Sequence, residues 1–132
     1  MADEERLGYL QLCAERRFHR RVMEAFERAA GLRPDSYWIE ARPGGAPSWS
    51  DNTRGARIAH RNGARHMGWA AHGDVCLGLP GKSNAELRQM LEKTARARAA
   101  EFPRAEHYLL FATDEGVEVE RVGKAVATRV RT

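Results

Sequence analysis

Cys13, His72 and Cys76 are the residues whose side chains are best suited to bind a metal ion. A catalytic zinc site needs three thiolate or imidazole ligands and one open coordination position, and these residues supply that set. In the segment "CAERR", Glu15 and Arg17 follow Cys13 at intervals of two residues. If this segment is extended, its thiolate, carboxylate and guanidinium lie on one face and point into the same crevice. The sequence therefore predicts a metal site with an adjacent acid–base pair.

Other interpretations of the same residues stay open at this stage. The segment "LGLPGKS" ends like a phosphate-binding P-loop at Gly81, Lys82 and Ser83, but Cys76 occupies the position of the first glycine. A cysteine phosphatase loop would place an arginine where Lys82 stands. The two cysteines and the histidine could also be ordinary buried residues of a strand end.

Composition narrows the classes of protein to consider. The 132 residues are 42% hydrophobic and 30% charged, which is typical of one globular domain. The net charge of +4 is spread among alternating acids and bases, so we expect no nucleic-acid partner. The beginning, "MADEERLGY", is acidic, unlike a signal peptide, and no apolar run is long enough for a membrane helix. We expect a cytoplasmic protein with unpaired thiols and no membrane association.

Hydrophobic periodicity predicts alternating strands and helices along the chain. The run "HYLLFATD" is the most apolar and predicts a central or well-covered strand, whereas residues 42–52 are rich in glycine and proline and predict a loop without regular structure. The predicted elements are a strand over 7–15, an amphipathic helix over 16–31, a strand over 36–41, a helix capped by Asp51 or Asn52 and running to about Asn62, a strand over 64–72, a helix over 84–102 capped by Ser83 or Asn84, a strand over 107–114 and an edge strand over 116–122.

This order predicts an α/β fold with three layers, α/β/α, around a mostly parallel sheet of four to five strands. Residues 1–132 would form one domain, with a basic tail over 123–132 that could be disordered. In such sheets ligands bind outside the carboxyl ends of the strands. Cys13, His72 and Cys76 all fall at or just after predicted carboxyl ends.

Several short motifs, in order, resemble the β-class carbonic anhydrases, in particular their compact bacterial forms, over roughly residues 8–122. In that family a first strand ends in Cys-x-Asp-x-Arg, and "CAERR" is similar with Glu15 in place of aspartate. A glycine pair follows the second strand, as in "ARPGGA", and the third strand ends in His-x-x-Cys, where this chain has "HGDVC". The later "EFPRAEH" and "TDEGVEVERV" segments also fit the family pattern.

The resemblance implies a Zn²⁺ ion held by Cys13, His72 and Cys76, with a water or hydroxide as fourth ligand. Zinc would lower the pKa of that water, and the metal-bound hydroxide would reversibly hydrate carbon dioxide to bicarbonate. Glu15 would accept a hydrogen bond from the hydroxide, and Arg17 would hold Glu15 through a forked ion pair. The resemblance also implies a homodimer.

The chain departs from the family pattern at two places, the spacing between His72 and Cys76 and the residue type at Glu15. The additional residue between His72 and Cys76 requires a bulge or a different loop path, and it places Asp74 where it could compete as an oxygen ligand. The second departure is Glu15 in place of aspartate, and the altered spacing favours an alternative function, a non-catalytic binding or assembly module of the same fold. A hydrolase of carbonyl sulfide or carbon disulfide is a further alternative, because it would use the same zinc hydroxide. The remaining histidines are predicted to be surface or half-buried residues without a catalytic role: His19, His60, His66 and His107.

Overall fold

A five-stranded sheet with the strand order β2-β1-β3-β4-β5 forms the centre of the molecule. The computed structural model describes residues 6–49 and 52–123, and at Trp49 the backbone alone. The elements are β1 (Leu7–Cys13), α1 (His19–Ala30), β2 (Tyr37–Arg42), a 3₁₀ helix (Ala46–Trp49), α2 (Arg54–Arg61), β3 (Ala64–His72), α3 (Asn84–Glu101), β4 (Glu106–Thr113) and β5 (Gly116–Val122).

The sheet is mostly parallel, with β3 at its centre between β1 and β4. β5 is antiparallel to β4 and forms one edge, as its alternating sequence predicts. Helix α1 packs on one face, where Leu10, Phe26 and Leu110 are buried. Helices α2 and α3 cover the other face around Trp69 and Leu109. The predicted three-layer α/β/α architecture is therefore confirmed.

Helix α3 begins at a capping box formed by Ser83 and Glu86. Ser83 Oγ accepts a hydrogen bond from the Glu86 N–H, and the Glu86 carboxylate accepts one from the Ser83 N–H. Leu87, Leu91 and Ala95 lie one turn apart and are buried against the sheet. The predicted cap at Ser83 is therefore confirmed. None of the helices in the described part of the chain is long and apolar enough to span a bilayer.

Several predicted boundaries need correction. β1 ends at Cys13, not at residue 15, because its partner β2 ends at Arg42, whose carbonyl accepts the Ala14 N–H as the last bond between the two strands. Residues 16–18 form a turn, so α1 begins at His19, not at residue 16. The predicted loop over 42–52 contains the 3₁₀ helix Ala46–Trp49. Thr53 occupies the N-cap position of helix α2, but its side chain makes no capping hydrogen bond. Asn52, one residue earlier, accepts the Arg54 N–H through its side chain, so it contributes to the start of the helix as predicted. Asp51, the other predicted cap, and residues 124–132 of the predicted tail lie outside the described residues.

The loop after β2 approaches the sheet more closely than a side chain would allow. A Cβ on Gly45 would lie 2.5 Å from Ala70 O and 3.2 Å from Ala71 Cα. Gly45 also has a φ of +71°, in the left-handed region that favours glycine. A Cβ on Gly78 would lie 2.2 Å from Gly44 N, so the loop is equally close to the segment after β3. These glycines let two loops meet at the carboxyl edge of the sheet.

Replacing Gly45 with alanine is expected to lower the free energy of unfolding by about 2–4 kcal/mol, since left-handed strain and a contact with backbone atoms add together. Gly81→Ala is the matched control. Gly81 also has a left-handed φ, +79°, but a Cβ there would meet nothing within 4 Å, so only about 1–2 kcal/mol should be lost. Urea denaturation measures both variants. Equal losses would contradict the close packing described for Gly45.

Candidate metal site

Three potential metal ligands meet where two neighbouring parallel strands end. Cys13 is the last residue of β1 and His72 is the last residue of β3. Because β1 and β3 pair in parallel, their carboxyl ends lie at the same edge of the sheet. Cys76 follows four residues after His72 in the next loop and returns to the same point. One ligand atom from each residue lies within 4.8 Å of the other two, so the group could hold a metal ion.

The spacing of the two sulfur atoms suits a shared ion. Cys13 Sγ and Cys76 Sγ are 4.0 Å apart. Two thiolates bound to one tetrahedral zinc, each at about 2.3 Å, would be about 3.8 Å apart. Both thiols are free and buried. The two sulfurs therefore need little movement to bind one ion.

One ring nitrogen of His72 has no hydrogen-bond partner among the residues that the structure describes. Its Nδ1 lies 2.7 Å from Gly73 O, a distance at which the ring N–H donates to that carbonyl. Its Nε2 is buried and has no hydrogen-bond partner among the described residues. The Phe18 ring packs against the imidazole with 4.9 Å between centroids. A buried, unpaired lone pair is unfavourable unless something binds it, and a metal ion would do so.

The additional residue between His72 and Cys76 is accommodated by two left-handed residues in succession. Asp74 has a φ of 54° and Val75 a φ of 69°. This turn, not a bulge in the strand, brings Cys76 back to the sheet edge. Aspartate tolerates the left-handed conformation, but for β-branched valine it is a clear outlier and stores strain.

Asp74 holds this turn in place through hydrogen bonds on three of its atoms. Its N–H donates to Asn84 Oδ1 at 2.7 Å, and its Oδ1 accepts from Asn84 Nδ2 at 3.1 Å. Its Oδ2 accepts the Asp114 N–H at 2.7 Å. The Asp114 N–H, followed by the Asn84 side chain, lowers the pKa of the Asp74 carboxyl. Both carboxylate oxygens thus stabilise the loop, and Asp74 is not among the grouped ligand atoms.

Glu15 and Arg17 lie together beside the ligands. The Arg17 backbone N–H donates to Glu15 Oε2 at 3.0 Å, and Arg17 Nε lies 3.4 Å from the same oxygen. These contacts with Arg17 lower the pKa of Glu15, the backbone hydrogen bond most. Arg17 Nη2 donates to Asp74 O at 3.2 Å and to Val75 O at 3.1 Å. The predicted ion pair is present, but the guanidinium bridges Glu15 and the loop before Cys76 instead of forming a fork.

Some surroundings of Cys76 raise the pKa of its thiol and others lower it. Burial raises the pKa of Cys76 most, and repulsion by the nearby Cys13 thiolate raises it further. The backbone N–H groups of Gly78 and Leu79 act in the opposite sense and lower the pKa. Two thiolates this close repel each other, and a cation between them would remove that repulsion.

A small cavity of about 10 Å³ adjoins Cys13 and His72. That volume is about what one water molecule needs. Apart from those two residues its walls are apolar: Leu12, Phe18, Val22, Ala70 and Ala71. The space beside the ligands thus admits only a very small molecule.

Sequence reasoning found the ligands but missed two residues that position them. Phe18 packs against His72, and Asn84 clamps the turn at Asp74. The sequence predicts Asn84 only as a possible helix cap, because its contacts with Asp74, ten residues away, leave no periodic signal in the sequence. His107 is buried, not half-buried as predicted, because it bridges Trp69 Nε1 at 3.0 Å and Phe102 O at 2.8 Å. Ser83 of the P-loop-like segment caps α3.

Comparisons of the chain with protein-family models, with curated proteins and with solved structures found no match.

Val75→Gly is expected to raise the free energy of unfolding of the metal-free protein by roughly 0.5–1 kcal/mol, because glycine removes the left-handed strain at little loss of buried area. Val75 is 69% exposed. Leu77→Gly, in the same loop at a residue that is 81% exposed and without a positive φ, is the control. It should lower stability by about 0.5–1 kcal/mol. Chemical denaturation compares the two, and a loss of stability in both variants would contradict strain at Val75.

Proposed function

We propose that Cys13, His72 and Cys76 bind a zinc ion and that the protein reversibly hydrates carbon dioxide to bicarbonate. The observation that carries the proposal is the convergence of two buried sulfurs, 4.0 Å apart, with a buried imidazole nitrogen that has no hydrogen-bond partner in the described part of the chain. Two thiolates and one imidazole are a donor set that suits zinc and leaves a fourth position open. The resemblance to the β-class carbonic anhydrases supports the same assignment.

A zinc ion held by Cys13, His72 and Cys76 would supply Lewis acidity that activates water as a nucleophile for carbon dioxide. In this proposal Glu15 would orient that water. The contacts of Arg17 fall on Glu15 Oε2, which leaves Oε1 to accept a hydrogen bond from the water. Because the pKa of Glu15 is lowered, the carboxylate stays ionised and can act as this acceptor at neutral pH. Arg17 holds the carboxylate and the ligand loop in one arrangement.

The enclosure of the site favours a very small, uncharged substrate. Cys13 is 8% exposed, His72 1% and Cys76 2%. The adjoining cavity is apolar and about 10 Å³ in volume. Carbon dioxide is a three-atom molecule without net charge, so it can enter such surroundings without a large desolvation cost. Carbonyl sulfide and carbon disulfide share these properties, and a hydrolase for either is the nearest alternative.

A non-catalytic binding or assembly module that keeps the fold is the second candidate. The strained turn at Val75 and the near-complete burial of the ligands favour it, since neither feature requires turnover. Both candidates are proposed to act in the cytoplasm as homodimers. The free thiols agree with a reducing compartment. Trp38 and Ile39 are each 44% exposed on the edge strand β2 and are available to a second copy.

Metal analysis of protein purified without chelator is expected to find about one zinc per chain. Cys13→Ser, Cys76→Ser and His72→Ala should each lose it, because three ligands are the minimum for such a site. His66→Gln is the matched control, since His66 lies near the start of β3 and hydrogen-bonds Tyr108. A folded protein that binds no zinc from a zinc-containing buffer would overturn the proposal.

Glu15→Gln is expected to lower kcat/KM for carbon dioxide hydration about 10–100-fold, because the water loses its charged hydrogen-bond acceptor. Zinc content should stay at the wild-type level. Glu24→Gln makes the same chemical change on an exposed face of α1 and should leave the rate unchanged. Stopped-flow measurement with a pH indicator gives the rates. A zinc-loaded wild-type protein that does not accelerate hydration would favour the non-catalytic module or, if it cleaves carbonyl sulfide, the hydrolase.

A further inference from the structure

A basic cavity lies at the end of the sheet opposite the metal ligands. Its volume is about 500 Å³, which is within the usual range for small-molecule sites. It is formed by α2, the start of β3, and the end of α3 with the turn that follows. From Ala64 to His72, β3 spans roughly 26 Å, so the cavity is far from the cysteines. It is a second, separate feature of the chain.

Four arginine side chains line this cavity: Arg57, Arg61, Arg65 and Arg104. Within residues 6–49 and 52–123, none of the four forms an ion pair with a carboxylate. The one acid in the lining is Glu101, which accepts from Thr53 Oγ1 at 3.1 Å and lies 3.3 Å from Arg98 Nη1. Its charge is therefore already engaged, and the cavity has an excess of positive charge. Elsewhere in the same protein, Arg88 contacts three glutamates.

Two of the arginines are held in position by hydrogen bonds. Arg65 Nη1 donates to His60 O at 2.8 Å and to Ala64 O at 2.9 Å, and Arg57 donates to the Thr53 hydroxyl. These bonds occupy only part of each guanidinium, which has five N–H donors. Arg61 is exposed at the end of α2, and Arg104 is exposed in the turn before β4. The result is two fixed and two adjustable cations around one space.

His60 shows that the positive charge in the cavity is not balanced. Its Nε2 is buried without a hydrogen-bond partner among the described residues, while its ring packs on Phe102 with 5.3 Å between centroids. Burial lowers the pKa of His60 most, and the charges of Arg65 and Arg104 lower it further. A bound anion would offset this repulsion.

We propose that this cavity binds a small anion that carries two or more phosphate groups. The planar guanidinium group can donate two parallel hydrogen bonds to the oxygens of a phosphate group. Several arginines around one cavity favour an anion with several negative charges over an anion with a single charge. The volume accommodates a compound of the size of a nucleoside diphosphate or triphosphate. The cavity shares no residue with the candidate metal site, so anion binding here does not depend on the function proposed above.

Isothermal titration calorimetry of the full chain with inorganic pyrophosphate tests this inference. Wild-type protein should bind one pyrophosphate per chain, and orthophosphate should bind at least tenfold more weakly. The double variant Arg61→Gln/Arg104→Gln should weaken pyrophosphate binding at least tenfold, because two charge-assisted contacts are lost. Both side chains are exposed, so the variant should fold, and its zinc content should equal that of the wild type.

The matched control is Arg20→Gln/Arg28→Gln, which removes the same charge from exposed positions on α1. It should change pyrophosphate affinity less than twofold. Equal losses in the two double variants, or no binding by wild-type protein, would overturn the proposal. A short DNA duplex that binds more tightly than pyrophosphate, and is lost in the same cavity variant, would also overturn it in favour of a nucleic-acid surface.

Discussion

Parallel pairing of β1 with β3 is the constraint on which the candidate metal site depends. It joins Leu7 through Gln11 to residues between Ala64 and Trp69, so the two strands end side by side. Strand alternation then places Cys13 toward α3, with Trp69, and His72 toward α1, with Phe18. The ligands come from opposite faces and meet only beyond the end of the sheet. A slip of one residue in this pairing would exchange the faces and separate them.

The loops at that edge hold the third ligand by backbone contacts and hydrogen bonds. Glycines let the loop after β2 pack directly on β3 and on the segment around Gly78. Arg17 and Asn84 bind the turn between His72 and Cys76 from two sides. Cys76 is therefore positioned by a network that spans three separate segments of the chain. Such a network can stabilise an unfavourable backbone conformation locally, as at Val75.

Most of the fold could be predicted from the sequence, because amphipathic periods and caps are local signals. The strand Ala64–His72 and the cap at Ser83 follow from residues within a few positions of each other. The ligand set could also be predicted, from residue types at strand ends. The path of the 73–76 turn could not, since it depends on Asn84 and Arg17, which are distant in sequence. The arginine cavity had no sequence signal either, because isolated arginines in charged segments resemble a solvated surface.

The proximity of the two thiols also bears on redox chemistry. Cys13 and Cys76 have sulfur atoms 4.0 Å apart, and a disulfide bond requires about 2 Å. Oxidation and ion binding therefore compete for the same two atoms. Burial of both residues slows access by oxidants, and a bound cation would occupy the lone pairs that oxidation requires. If the site binds an ion as proposed, both thiols must stay reduced until that ion is bound.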